Sequence, residues 1–180
     1  MDMILVRSIL VRHGKRHGLA ERQLRRHFVR KGCRVWRGSF LGSFNRTESV
    51  FYKYNYVLYN DLCQKMVDSV GVKRFKRICC YCRSHQGAPD FIVWDGNRLF
   101  FAEAKLENEN ISLRQLKTMA YLSQSFPIYV YRVFNATRQS LRRIDVHAYL
   151  KDLEKDSAAP RLSAYIKKLE HSPVVCKKWR

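Results

Sequence analysis

Two carboxylates and an ammonium are spaced along residues 87–132, GAPDFIVWDGNRLFFAEAKLENENISLRQLKTMAYLSQSFPIYVYR, so that one hairpin would bring them together. Asp90 follows Pro89, and Glu103-Ala104-Lys105 begins 13 residues after Asp90. The intervening stretch is apolar and aromatic except at Asp95-Gly96-Asn97-Arg98. Two β-rich runs broken by Gly-Asn predict a hairpin with a two-residue primed turn. With Gly96 and Asn97 as the loop, Asp95 faces Arg98 and Asp90 falls opposite Glu103. Side chains alternate faces along a strand, which puts Lys105 on the face of Glu103 and turns Ala104 away. Carboxylates facing each other across a ladder repel. A hard divalent cation with oxygen ligands, Mg²⁺ above all, would convert that repulsion into coordination. A lysine beside it could hold or polarise a water for attack on a phosphodiester. An ordinary Glu–Lys surface pair at a strand end would carry the same residues.

The elements that must position this hairpin lie on either side of it. Residues 19–31 predict a helix, with Ala20, Leu24 and Phe28 as its buried stripe at spacing four and Gly32 as its stop. Arg22, Arg25, Arg26, Arg30 and Lys31 fall on its other sides. Glu21, the only acid between Asp2 and Glu48, borders the stripe; it either pairs with Arg25 or joins the carboxylates. Residues 33–37 read as a strand, and 38–43, GSFLGS, as a loop whose backbone could approach a phosphate. After Lys105, Ser112 and Gln115 form a capping box and Ile111 with Leu116 a hydrophobic staple, predicting a helix start. Gln115 therefore has a structural reason to exist, with a role near the metal secondary. Leu113, Leu116 and Ala120 give that helix its buried face, and Arg114 and Lys117 could meet DNA. Residues 127–133, PIYVYRV, read as the next strand.

Pro89-Asp90 with Glu103-Ala104-Lys105 resembles the PD-(D/E)xK nuclease superfamily, whose core is a restriction-endonuclease-like αβββαβ fold. Residues 18–43 resemble the opening of archaeal Holliday-junction resolvases: a helix bearing Glu-Arg, a Gly, a strand with Arg, then a Gly/Ser loop. The resemblance implies an α/β nuclease domain with a mixed central sheet that hydrolyses DNA with Mg²⁺ or Mn²⁺. It implies metal ligation by Asp90 and Glu103, assisted by the Ala104 carbonyl. Lys105 is then the catalytic lysine, and Glu21 an acid reaching the same site. Ser39 or Ser43 takes the place of the resolvase serine, and a homodimer acting on branched DNA is expected. The chain departs from the pattern in an insertion of about forty residues before Pro89, longer than ordinary connections. It departs also in Tyr121, which comes two positions late for a Gln-x-x-x-Tyr motif. A nuclease of linear duplex or DNA ends, and a basic DNA-binding protein that keeps the fold without cutting, are the competing readings.

Bulk properties point the same way. The chain has 180 residues, 46% of them hydrophobic, enough for one domain with an inserted subdomain over 44–86. Against 15 Asp+Glu stand 35 Lys+Arg, a net charge of +20. Such an excess reports a polyanionic partner, with nucleic acid the default. No apolar run approaches a membrane-spanning length, and Arg7 and Arg12 interrupt the apolar pieces of the first twenty residues, leaving no signal-peptide core. An intracellular protein is expected, in cytoplasm or nucleoid, or in host cytoplasm if viral. The candidate nucleic-acid contacts are Arg22, Arg25, Arg26, Arg37, Ser39, Arg114 and Lys117.

The remaining segments are read more simply. Residues 1–17, apolar first and basic afterwards, could form an added strand or a short helix contributing to a dimer, and the 12–17 part could equally form an arm on phosphates. In 44–86, Phe51, Tyr52, Tyr54, Tyr56 and Tyr59 either stack on unpaired bases or form the insert's own core. A helix is expected over 61–70, with Leu62, Met66 and Val70 at spacing four, and a basic strand over 73–81. Cys79-x-x-Cys82 with His85 and Cys63 has zinc-like spacing, against reduced, partly buried thiols or a disulfide. Residues 145–170 carry two helical repeats, Val146, Tyr149, Leu150, Leu153 and Leu162, Tyr165, Ile166, Leu169, expected to close over the sheet.

Overall fold

The computed structural model describes residues 3–10, 19–44, 50–106, 109, 111–134 and 141–145. In chain order the elements are β1 (Met3–Leu10), α1 (Leu19–Arg30), β2 (Arg34–Arg37), α2 (Phe40–Ser43), α3 (Val50–Ser84), β3 (Phe91–Trp94), β4 (Leu99–Leu106), α4 (Leu113–Ser123), β5 (Ile128–Phe134) and β6 (Leu141–Asp145). The strands form one six-stranded sheet in the order β2-β3-β4-β5-β1-β6. β2, β3 and β4 are successively antiparallel, β4–β5 and β5–β1 are parallel, and β6 returns antiparallel to β1. The protein is thus mixed α/β around a mixed sheet.

Alternation along β4 builds a core on each face. Leu99 and Phe101 point to the side of α3 and α4, where Trp36, Ile92, Ile128 and Val130 meet Leu62, Met66, Ile78, Leu116, Met119 and Leu122. Phe100, Ala102 and Ala104 point to α1, whose Ala20, Leu24 and Phe28 pack with Val93, Tyr129 and Tyr131. The predicted stripe of α1 is therefore the one buried. Ala102 and Ala104 are small, which lets the start of α1 lie close on the second half of β4. Gly32 follows α1 at φ +75°, the left-handed position that ends many helices.

The hairpin has the register expected from its turn. Trp94 pairs Leu99 and Phe91 pairs Ala102, and continuing outward sets Asp90 opposite Glu103. Gly96 supplies the positive φ (+102°), and the Asp95 carboxylate accepts from the amides of Asn97 and Arg98. α4 begins as predicted: Ser112 Oγ accepts from the Gln115 amide, and the Gln115 side chain accepts from the Ser112 amide.

Two expectations are corrected. Residues 73–81 are not a strand but the second half of α3: Phe75, Ile78, Cys79 and Cys82 are its buried positions, a helical spacing hidden among cations. α3 runs from Val50 to Ser84 with non-helical backbone at Asn55 and at Gly71 (φ +77°), where it kinks. Residues 38–43 are not an open loop. Phe40–Ser43 is a helical turn that buries Phe40 and Leu41 in the core against Tyr59, whose ring stacks on Phe40 at 4.1 Å. Among the aromatics of 51–59 described with their side chains, Tyr59 is core and Tyr56 is 54% exposed.

Of the alternatives for the N-terminal residues, β1 is a strand that enters the sheet between β5 and β6. β6 was not foreseen. It ends at Asp145, and the helices expected beyond it lie outside the described residues.

Candidate active site

Asp90, Glu103 and Lys105 meet where β3 stops and β4 runs on. With no strand residue left opposite Ala104, its amide is taken by Asp90 Oδ2 at 2.8 Å. In return the Asp90 amide donates to Glu103 Oε2 at 3.0 Å. The two carboxylates thus clasp the two strands through each other's backbone. On the other oxygen, Glu103 Oε1 lies 2.9 Å from Lys105 Nζ and accepts from Gln115 Nε2 at 2.6 Å. Lys105 Nζ also donates to Gln115 Oε1 at 3.3 Å, leaving the third ammonium proton for another acceptor.

The electrostatics are those of a crowded negative site. Glu103 is 1% exposed. Burial first, and then the Asp90 charge, push its carboxyl up to about 7. Burial likewise raises Asp90, with the Glu21 charge adding to the rise and the Ala104 amide and Lys105 opposing it. Glu21 is exposed in the first turn of α1, and its charge adds to the rise at Asp90. Three carboxylates thus act on a site that holds one ammonium.

That imbalance is the observation against which a divalent cation can be tested. Hard oxygen donors, an excess of negative charge and carboxyls whose ionised form is disfavoured are what Mg²⁺ or Mn²⁺ would relieve. Asp90, Glu103 and the Ala104 carbonyl fit the role of holding it, with Glu21 nearby. Among the described residues no group of three or more His, Cys, Asp or Glu side chains is already gathered as a ligand cage. Mg²⁺ commonly takes one or two carboxylates and keeps waters.

A pH dependence follows from Glu103. Its folded-state value lies above its ordinary 4.5, so the folded protein holds this proton more tightly than the unfolded chain. Its ionisation costs nothing below about pH 4.5, costs progressively more up to about 7, and a constant amount above. Without divalent cation, Glu103→Gln should therefore gain melting temperature relative to wild type as pH rises from about 5 to about 8. A difference that stays flat over that range would contradict the buried, repelled carboxylate.

Gln115 was seen in the sequence as a cap; the same side chain grips Glu103 and Lys105. The signal was present, because a capping glutamine folds back toward the loop that leaves Lys105. Gln115→Ala should cost about 1 kcal/mol through the lost cap. In the nuclease reading proposed below, it should also slow strand cleavage roughly 10- to 100-fold by loosening Glu103 and Lys105. Ser112→Ala, which weakens the cap alone, should match the stability loss in thermal melts but leave the rate nearly unchanged.

Two glycines missed as site residues set the backbone. A Cβ on Gly38 would lie 1.8 Å from the Pro89 carbonyl oxygen, and the Gly38 amide donates to Asp90 O at 2.9 Å. A Cβ on Gly87 (φ +99°) would come within 3.1 Å of the Gln115 backbone. The close approach made by the Gly/Ser segment is therefore to the strand end bearing Asp90.

The basic residues are distributed around this centre. Arg22, Arg25, Arg26, Arg37, Ser39, Arg114 and Lys117 are all exposed. Arg25 and Arg37 line a cleft of about 180 Å³ with Trp36, Tyr59 and Phe91, the residue after Asp90. Arg114 and Lys117 line another, of about 530 Å³, between the end of α3 and α4. Cys63, Cys79 and Cys82 belong to the core side of α3; burial pushes Cys63 up to about 11 and Cys82 up to about 12, and raises Cys79 further. Burial thus disfavours the thiolate at all three, and His85 is exposed, stacked on Tyr81.

No family model, curated protein or solved structure matches the chain. No helix among the described residues is long and apolar enough to cross a membrane.

Proposed function

We propose that the protein is a divalent-metal-dependent nuclease of the PD-(D/E)xK type, with a restriction-endonuclease-like core, hydrolysing phosphodiester bonds of DNA. The observation that carries this reading is the meeting of Asp90, Glu103 and Lys105 at one strand end, with Glu103 buried and pushed up to about 7. Residues that merely tie two strands need not bury a carboxylate against a second one beside a single ammonium. The order α1-β2-β3-β4-α4-β5, with the inserted α2 and α3, supports the same fold assignment. Such a cation supplies positive charge against the phosphate and its oxygens.

The chain's own residues do the rest. Asp90 and Glu103 provide the anionic oxygens, fixed by the Ala104 and Asp90 amides. Lys105, held by Glu103 and Gln115, aims its remaining proton at the attacking water or the phosphate. Glu21 adds charge from α1, and Arg22, Arg25, Arg26 and Arg37 supply phosphate contacts beside it. Branched DNA as substrate and a homodimeric state rest on the resolvase resemblance, and an intracellular location follows from a DNA substrate.

The test is incubation with labelled four-way junction and matched linear duplex in Mg²⁺, in Mn²⁺ and in chelator. Paired nicks across the junction, absent with Glu103→Ala and Lys105→Ala, are the expected result. Cleavage of both substrates would keep the nuclease and remove the junction selectivity. Tight DNA binding in chelator with no cleavage in either metal would make the protein a non-cutting binder.

A further inference from the structure

Four planar groups are stacked in one column between α3 and α4. The Arg74 guanidinium lies over the Tyr121 ring at 4.8 Å. Tyr121 stacks on Tyr81 at 3.8 Å and 9°, and Tyr81 on His85 at 4.1 Å and 8°. The Arg74 end is closed, since its nitrogens donate to Ser125, Tyr121 and Gln124. The His85 end is not. Its ring is exposed, has no second ring stacked on it among the described residues, and forms part of the wall of the 530 Å³ cleft with Leu113, Arg114 and Lys117.

The platform is held in place. His85 Nδ1 lies 3.2 Å from the Tyr81 carbonyl, and Thr118, fully buried, donates to the Gln86 carbonyl at 3.1 Å. The chain then turns through positive φ at Gln86 (+22°) and Gly87 (+99°), backbone against Gln115, and reaches Asp90. Non-glycine residues in this region persist only where surroundings hold them there, often at ligand sites.

We infer that this cleft is a nucleobase subsite: an unpaired base stacks on the outer face of His85, extending the column, while its flanking phosphate meets Arg114 and Lys117. The cleft volume falls in the range of small-ligand sites. A base within a duplex already has both faces stacked, so the subsite takes a single-stranded or displaced nucleotide beside the scissile bond. Aromatic stacking of this kind is tolerant of sequence. The inference rests on the reading of the protein as a nucleic-acid enzyme and narrows its substrate to DNA with an unpaired stretch.

The test is equilibrium binding of the full chain, in chelator and at fixed salt, to a duplex with a short single-stranded stretch carrying 2-aminopurine. The same sequence fully paired, and free deoxyadenosine monophosphate, are the other ligands. The 2-aminopurine signal should be quenched on binding, and His85→Ala should weaken this complex roughly tenfold. His85→Phe should restore affinity, and duplex binding should not change with either. Equal affinity of wild type and His85→Ala for the unpaired substrate, equal weakening of both DNA forms, or failure of His85→Phe to rescue would each overturn the subsite. Free nucleotide binding as tightly as the DNA would overturn its assignment to a strand. Cleavage in Mg²⁺ is scored separately: His85-dependent binding without cleavage leaves the subsite standing and sinks the nuclease, and the converse does the opposite.

Discussion

Asp90→Asn is expected to reduce strand cleavage by about 10³-fold or more and, at the same time, to raise the melting temperature of the metal-free protein. The two effects have one cause. Asp90 and Glu103 are held together by backbone amides although each charge makes the other harder to ionise. An asparagine oxygen can still accept from the Ala104 amide, so the clasp survives while the repulsion goes. Relief of one pKa unit at Glu103 is worth about 1.4 kcal/mol. For a chain of this size that corresponds to a melting shift of roughly 3–6 °C. Added Mg²⁺ should stabilise wild type more than the variant. Thermal melts in chelator at about pH 8 decide the point: a variant less stable than wild type would make Asp90 a structural clasp and no more.

Gly38→Ala is expected to be the most damaging change that touches no charged group. The added Cβ would meet the Pro89 carbonyl oxygen at 1.8 Å, and backbone cannot rotate out of the way as a side-chain tip can. β2 and the start of β3 must separate, breaking the Gly38–Asp90 hydrogen bond. Overpacking of this kind costs about 3 kcal/mol or more, lowering the melting temperature by roughly 6–12 °C. Because the displaced residue is Asp90, cleavage should fall further than lost stability explains, even in assays well below the new melting temperature. A variant with near-wild-type melting and activity would mean that this contact does not position the site.

The parts legible in the sequence were those with a short-range physical signature. Gly96-Asn97 fixed the hairpin register, and with it the facing of Asp90 and Glu103. Ala20, Leu24 and Phe28 gave the stripe of α1, and Ser112 with Gln115 the start of α4. Residues 73–81 misled because Phe75, Ile78 and Cys79, although spaced as on a helix face, are few and set among Lys and Arg, so the run is too short to declare its period. β6 and the place of β1 depend on long-range pairing that no local pattern records. Gln115 was half legible, since capping accounted for the residue without revealing that its amide also reaches Glu103. Gly38 was legible only as part of a segment able to approach something closely, and Gly87 not at all, because what they meet comes from elsewhere in the chain. The column of Arg74, Tyr121, Tyr81 and His85 joins two helices, and in the sequence His85 pointed instead to Cys79 and Cys82.

In the function proposed for it, the Asp90–Glu103–Lys105 centre breaks phosphodiester bonds with a divalent metal. The most direct measurement is strand cleavage of a labelled panel of junction, duplex and partly single-stranded DNA by wild type, Glu103→Ala and Lys105→Ala, each in Mg²⁺ and in chelator. Cleavage by wild type in Mg²⁺ alone, lost in both variants while DNA binding is retained, is the expected result. No cleavage of any substrate by wild type, or cleavage that survives the chelator or Glu103→Ala, would contradict it.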